Sequence, residues 1–131
     1  MAAPALSKCN FLEDDSRSLN RAAESLSCLP FRRAFYDSIS QTPISSLSLA
    51  MHSGHKQFCF DRLKPDRIES HFRWLIRLGV LRREVDGQGL TERVRLTPMA
   101  ERVLQRWSGE IPRAGISSHF KHWVRRYRPR F

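Results

Sequence analysis

Arginine is the side chain with the most chemistry to offer in this sequence. Arg67, Ser70, Arg73 and Arg77 recur at three- and four-residue steps. A guanidinium carries five N–H donors in a planar fork that matches phosphate oxygens, so such a row suits a polyanion. Arg82, Arg93 and Arg95 form a second set, spaced at alternate positions of extended segments. Lys121, Arg125, Arg126, Arg128 and Arg130 form a third around Phe120, Trp123, Val124 and Tyr127, and residues 120–131 hold no acid. The plainer reading of the first set is a solvated helix face. There Glu69 and Arg73 would form an i,i+4 pair worth only ~0.3–0.5 kcal/mol.

Other chemistries find less support. His52, His55 and Cys59 have a His-x2-His-x3-Cys spacing, but structural zinc wants four ligands in paired short spacings. Surface histidines and a buried thiol are therefore expected, with no metal and no cofactor. His119 and His122 read as extra basic character. Gly87-Gln88-Gly89 lies in a hairpin turn and does not open a helix, so it is not a phosphate loop. No Gly-x-Ser-x-Gly elbow or carboxylate pair in a cleft is found, and the chain is not expected to be an enzyme.

The elements that position these residues follow from periodicity. A first helix is predicted over Ser18–Cys28, with Ser18 as cap and Leu19, Ala22, Ala23 and Leu26 as its apolar positions. Pro30 opens a second, with Phe31, Ala34, Phe35 and Ile39 as one stripe, ended by Thr42-Pro43. A short third helix covers roughly Ser45–Ser53, with Gly54 as terminator. His55–Lys64 is read as a connecting segment. Asp66–Leu78 is the strongest helix: Ile68, Phe72, Leu75 and Ile76 share one face, and Glu69, Ser70, Arg73 and Arg77 the other. After Gly79 the period changes to two. Leu81, Arg83 and Val85 alternate with Arg82, Glu84 and Asp86, and Asp86-Gly87-Gln88-Gly89 turns the chain back through Val94 and Leu96. Thr97-Pro98 caps a last core helix to about Trp107.

Composition bounds the answer. The chain has 131 residues, 40% of them hydrophobic and 27% charged, which is one globular domain with some extension. No apolar run approaches the roughly 18 residues a membrane-spanning helix needs. Met1–Ser16, with Glu13, Asp14 and Asp15, does not read as a secretory signal, and three widely spaced cysteines suit a reducing cytosol. The net charge is +10, and it is uneven: residues 1–61 carry six basic and six acidic side chains, residues 62–131 carry 17 and seven. A neutral half joined to a strongly basic half points to nucleic acid or an anionic surface. Surface bias alone is the bland alternative.

Trp74-Leu-Ile-Arg-Leu-Gly-Val-Leu-Arg-Arg-Glu-Val-Asp-Gly-Gln-Gly, followed by Val94-Arg-Leu-Thr-Pro-Met-Ala, resembles the recognition-helix end, wing and next helix of winged helix-turn-helix regulators of the multiple-antibiotic-resistance-repressor group. More narrowly, Arg21-Ala-Ala-Glu, Cys28-Leu-Pro-Phe-Arg and Leu78-Gly-Val-Leu-Arg-Arg-Glu-Val-Asp-Gly-Gln-Gly resemble a family of small cyanobacterial proteins of unassigned function. The resemblance implies a mainly α fold with a small β-hairpin (α+β), a winged helix-turn-helix with an added N-terminal helix and a basic C-terminal helix. Its divisions would be a flexible tail over 1–17, the domain over 18–107, a linker over 108–117 and a basic aromatic amphipathic tail over 118–131.

It also implies roles. Asp66–Leu78 would be the groove helix, with Arg67, Ser70, Arg73 and Arg77 outward, while Arg82, Arg93 and Arg95 would hold phosphates from the wing. Double-stranded DNA is then the expected partner of a small cytoplasmic transcriptional regulator, acting as a homodimer. The alternative is a non-enzymatic adaptor whose winged helix docks a protein and whose basic tail, 118–131, contacts a membrane surface or an acidic partner. The acidic wing residues Asp86 and Glu92, and Asp66 and Glu69 at the helix start, suit it. For the tail residues Lys121, Trp123, Arg125, Arg126, Arg128 and Arg130, three partners stay open: nucleic acid, a peripheral membrane surface, or the domain itself or a second copy.

Overall fold

A computed structural model describes the backbone of residues 3–127 and the side chains of residues 16–115 and 119–127. Among these the order is α1 (Ala3–Cys28), α2 (Arg33–Gln41), α3 (Ser46–Ala50), α4 (His55–Phe58), α5 (Pro65–Arg77), β1 (Leu81–Asp86), β2 (Gly89–Leu96), α6 (Pro98–Leu104) and α7 (Ile116–Tyr127). The chain is thus mainly helical, with one two-stranded antiparallel sheet.

The first helix starts earlier than its cap residue suggested. Between Pro4 and Pro30 there is no glycine or proline to stop it. Ser18 therefore lies exposed inside α1, and the 1–17 segment read as a flexible tail is helical from Ala3. Ala22 and Leu26 carry the buried face of α1. Phe31, placed inside the second helix by its spacing, instead forms a bridge to Cys59, and α2 starts at Arg33. That bridge is fastened by Arg32 N to Phe58 O at 2.7 Å and Phe60 N to Pro30 O at 2.8 Å. In α2 the buried residues are Phe35, Tyr36 and Ile39, while Ala34 is exposed.

The core sits where α1, α2, α5 and α6 meet the base of the hairpin. Phe31 stacks on Phe35 at 4.7 Å and Phe35 on Phe72 at 5.8 Å between ring centroids. Phe35, Phe72, Leu75, Val94, Leu96 and Leu104 are all buried.

Local chemistry holds the run from α5 to α6. Pro65 occupies the first turn of α5, where its missing N–H costs nothing. Gly79, at φ +84°, takes the left-handed conformation that ends the helix and sends the chain into β1. The Thr97 hydroxyl accepts from Ala100 N at 3.2 Å as the cap of α6, and donates back to the carbonyls of Gly79 and Val80. One side chain thus joins both ends of the hairpin. Leu81 pairs with Leu96, Arg82 with Arg95 and Arg83 with Val94; a bulge between Arg83 and Val85 then shifts the register. Strict alternation fails there. Val85 is left 66% exposed, while Arg83, ahead of the bulge, keeps the inward face that it shares with Leu81. Ile44, between α2 and α3, bridges to Val94 through Val94 N to Ile44 O at 2.9 Å, so the hairpin is fixed to the helices on that side too.

The connection from α6 to α7 does not hang loose. Ile111 is buried, Ala114 N bonds Ser27 O at 3.1 Å, Arg113 donates to Leu29 O at 2.7 Å, and Arg33 donates to the carbonyls of Trp107 and Gly109. Residues 108–117, read as a linker, thus make hydrogen bonds to α1 and to the segment ahead of α2. Among the described residues no helix is long and apolar enough to cross a membrane.

Candidate nucleic-acid interface

The outer face of α5 lies between two flanks. On the hairpin side Glu69 is held by Arg83 and faces Arg73 Nε at 3.8 Å. Arg83 also donates to Glu92 O at 2.8 Å. Of the two carboxylates at the start of this helix, Glu69 is covered by a guanidinium, while Asp66 stays exposed. Arg73 and Arg77, one turn apart, point outward between the flanks, and Arg67 and Asp66 are exposed nearer the N-terminus. Across the hairpin Arg82 is exposed opposite Arg95. Arg93 and Arg95 meet the two Glu84 oxygens at 3.2 and 3.1 Å. Of the three expected wing arginines, two therefore share one carboxylate.

The other flank is α7, and it packs in a way the helical wheel did not anticipate. The helix starts at Ile116, two residues ahead of the start of the 118–131 tail. Its aromatic stripe faces solvent: Phe120, Trp123 and Tyr127 are 66%, 59% and 52% exposed. What packs is the polar side. His122, expected to add basic surface, is buried with its ring edge-on to Trp74 at 5.8 Å. Burial, and then Arg126, hold the His122 imidazole below its ordinary value. Trp74 Nε1 donates to Ser25 Oγ of α1 at 3.2 Å, and Arg125 reaches Glu24 at 3.0 Å. Lys121 and Trp123 remain exposed, whereas Arg128 and Arg130 lie outside the described residues.

Arg126 makes the contact with α5. It donates to His71 Nδ1 at 2.7 Å and to Ser70 Oγ at 2.9 Å. A guanidinium can only donate, so Nδ1 must accept and the ring proton sits on Nε2. Burial, followed by the Arg126 and Arg67 guanidiniums and His122, pulls the His71 imidazole down from 6.5 to about 3. It is neutral at any physiological pH. Ser70, expected to face a nucleic acid alone, shares its hydroxyl with α7.

Between α5 and α7 a cleft of about 280 Å³ is lined by Ser70, Arg73, Trp74, Arg77, Arg126 and Tyr127. Sequence reasoning assigned four of these to two separate sites; the fold joins them. It missed His71, although its position one turn after Ile68 on the apolar side marked a polar group that would need a buried partner. It missed Arg83, whose guanidinium reaches from the hairpin to Glu69 of α5, a contact between elements that local spacing does not show.

The histidines near α4 serve the fold. His55, expected at the surface, is buried: Nδ1 donates to Leu49 O at 3.1 Å and Nε2 accepts from Leu63 N at 3.2 Å. His52 accepts from Gly54 N at 2.8 Å. Burial pushes the Cys59 thiol up to about 12.

A family described as Npun_F0494-like matches residues 12–126 of this chain, a span that includes α5, the hairpin and nearly all of α7. No curated protein and no solved structure matches it.

Proposed function

We propose that this chain, which belongs to the Npun_F0494-like family, binds double-stranded DNA as a winged helix-turn-helix and acts as a small transcriptional regulator. α5 is the groove helix in this reading. Its 13 residues span about 20 Å, a length and width that a major groove about 12 Å wide accepts. Arg73 and Arg77 reach base edges or phosphates, and the hairpin with Arg82, Arg93 and Arg95 follows the backbone beside it. The observation that carries the reading is the frame itself. Two outward arginines stand on α5 between the hairpin that carries Arg82 and a basic helix, and the carboxylate beside Arg73, Glu69, is already covered by Arg83.

The double variant Arg73→Ala/Arg77→Ala tests it. Both side chains are exposed, so folding stability should move by no more than about 0.5 kcal/mol. Losing two phosphate or base contacts should weaken duplex binding by about 1–3 kcal/mol per contact, hence tenfold or more. Unchanged affinity would remove α5 from the interface.

A second reading has one observation in its favour. The exposed stripe of Phe120, Trp123 and Tyr127 offers apolar area that a phosphate backbone cannot use. An adaptor would dock a protein or a membrane surface there, and Phe120→Ala/Trp123→Ala, both outside the α5–α7 cleft, would abolish its localisation while leaving DNA affinity intact.

A further inference from the structure

Arg126 has an unusual set of partners for a half-buried cation. Both of its hydrogen bonds within the protein go to neutral acceptors, the His71 ring nitrogen and the Ser70 hydroxyl. Its sister Arg125, one residue earlier, has Glu24. No carboxylate lines the cleft that Arg126 enters, and Arg67 adds positive charge from the side. A partly desolvated guanidinium without a counter-charge among the described residues is costly, and the neighbouring arginines make it costlier. The rest of the lining is complementary to one kind of ligand. Arg73, Arg77 and Arg126 supply guanidinium forks, Ser70 keeps an O–H to donate once its oxygen has accepted from Arg126, and the Tyr127 hydroxyl adds another donor. Trp74 closes the floor with its N–H already given to Ser25.

We propose that the α5–α7 cleft is a seat for a phosphoryl group, with Arg126 as its fixed donor and Arg73 and Arg77 as the arms that close on it. His71 is a positioning residue: as an acceptor it holds the guanidinium in place without neutralising it, which a carboxylate there would do. At about 280 Å³ the cleft is at the small end for ligand pockets, large enough for a phosphate with its ester neighbour. The group can come from a nucleic-acid backbone or from a free phosphorylated molecule. The first source rests on the DNA-binding reading above, the second does not.

The test uses the full chain and inorganic pyrophosphate, followed by calorimetry and by intrinsic tryptophan fluorescence, to which Trp74 in the cleft contributes. Wild type should bind saturably, and Arg73→Gln/Arg77→Gln, which leaves the helix packing untouched, should weaken binding at least tenfold. Arg126→Gln should weaken it as much, with its melting temperature measured because α7 docking depends on that residue. Arg62→Gln, exposed outside the cleft, should bind as wild type does. Equal pyrophosphate affinity in wild type and the α5 double variant would overturn the seat. A duplex arm separates the two ideas. Duplex binding displaced by pyrophosphate supports a backbone phosphate in the cleft. Pyrophosphate binding without any duplex binding leaves the seat standing for a free ligand and removes the DNA-binding reading. Duplex binding with no pyrophosphate binding does the reverse.

Discussion

Lowering the pH from 7 to 5 should loosen α7, and His71 is the reason. Its imidazole is depressed to about 3 by burial and by Arg126, Arg67 and His122, against 6.5 in an unfolded chain. Above pH 6.5 neither state binds the proton and stability is unaffected. Below it the unfolded state takes the proton and the folded state does not, so folding loses about 1.36 kcal/mol per pH unit. Between pH 6.5 and 5 that is about 2 kcal/mol, a sizeable part of a small domain's stability. His122, held low chiefly by burial, adds a loss of the same sign. Release of α7 alone is the cheaper response if its docking is worth less than that, since a protonated Nδ1 can no longer accept from Arg126. Urea denaturation at pH 7, 6 and 5 measures the global loss, and near-ultraviolet circular dichroism of Trp74 against His122 reports the local one. His71→Gln is the control, because its amide oxygen can accept from Arg126 without titrating. The variant should lose about 2 kcal/mol less than wild type over this range. Parallel loss in the two proteins would refute the assignment of the pH response to His71.

Three further substitutions probe the frame that positions α5 and the hairpin. Phe72→Ala removes the ring that stacks on Phe35 and should cost about 3–5 kcal/mol in chemical denaturation; a loss under 1 would mean the core is not centred there. Gly79→Ala places a side chain at φ +84°, with its Cβ 3.3 Å from the flexible end of Met99, and should destabilise by about 1–2 kcal/mol of backbone strain, read from the thermal midpoint. Thr97→Ala removes the α6 cap together with the donor to Gly79 and Val80, and should cost about 1–2 kcal/mol; no loss would show that the hairpin base is held by its backbone alone.

What the sequence disclosed, and what it withheld, divides along local and tertiary lines. The end of α5 at Gly79, the hairpin around Asp86-Gly87 and the Thr97 cap were legible because each depends on residues within a few positions of one another. The wheel of α5 was legible because one face is strongly apolar. The placement of α7 was not. A wheel separates Phe120, Trp123 and Tyr127 from His122 and Arg126, but it cannot say which side finds a partner. Here Trp74, His71 and Glu24 offered polar partners, so the aromatic side stayed outside. The bulge after Arg83 is likewise set by pairing with β2 and leaves no mark on β1 alone. The cleft exists only because α5 and α7, some fifty residues apart, meet through Arg126.

The most direct test of the account is a salt titration of the purified chain against random duplex DNA, with anionic liposomes in parallel. About five arginine–phosphate contacts should give tight duplex binding whose logarithm falls with log salt at a slope of about −4 to −5, with weak liposome binding. Feeble duplex binding beside strong liposome binding, or neither near physiological salt, would contradict it.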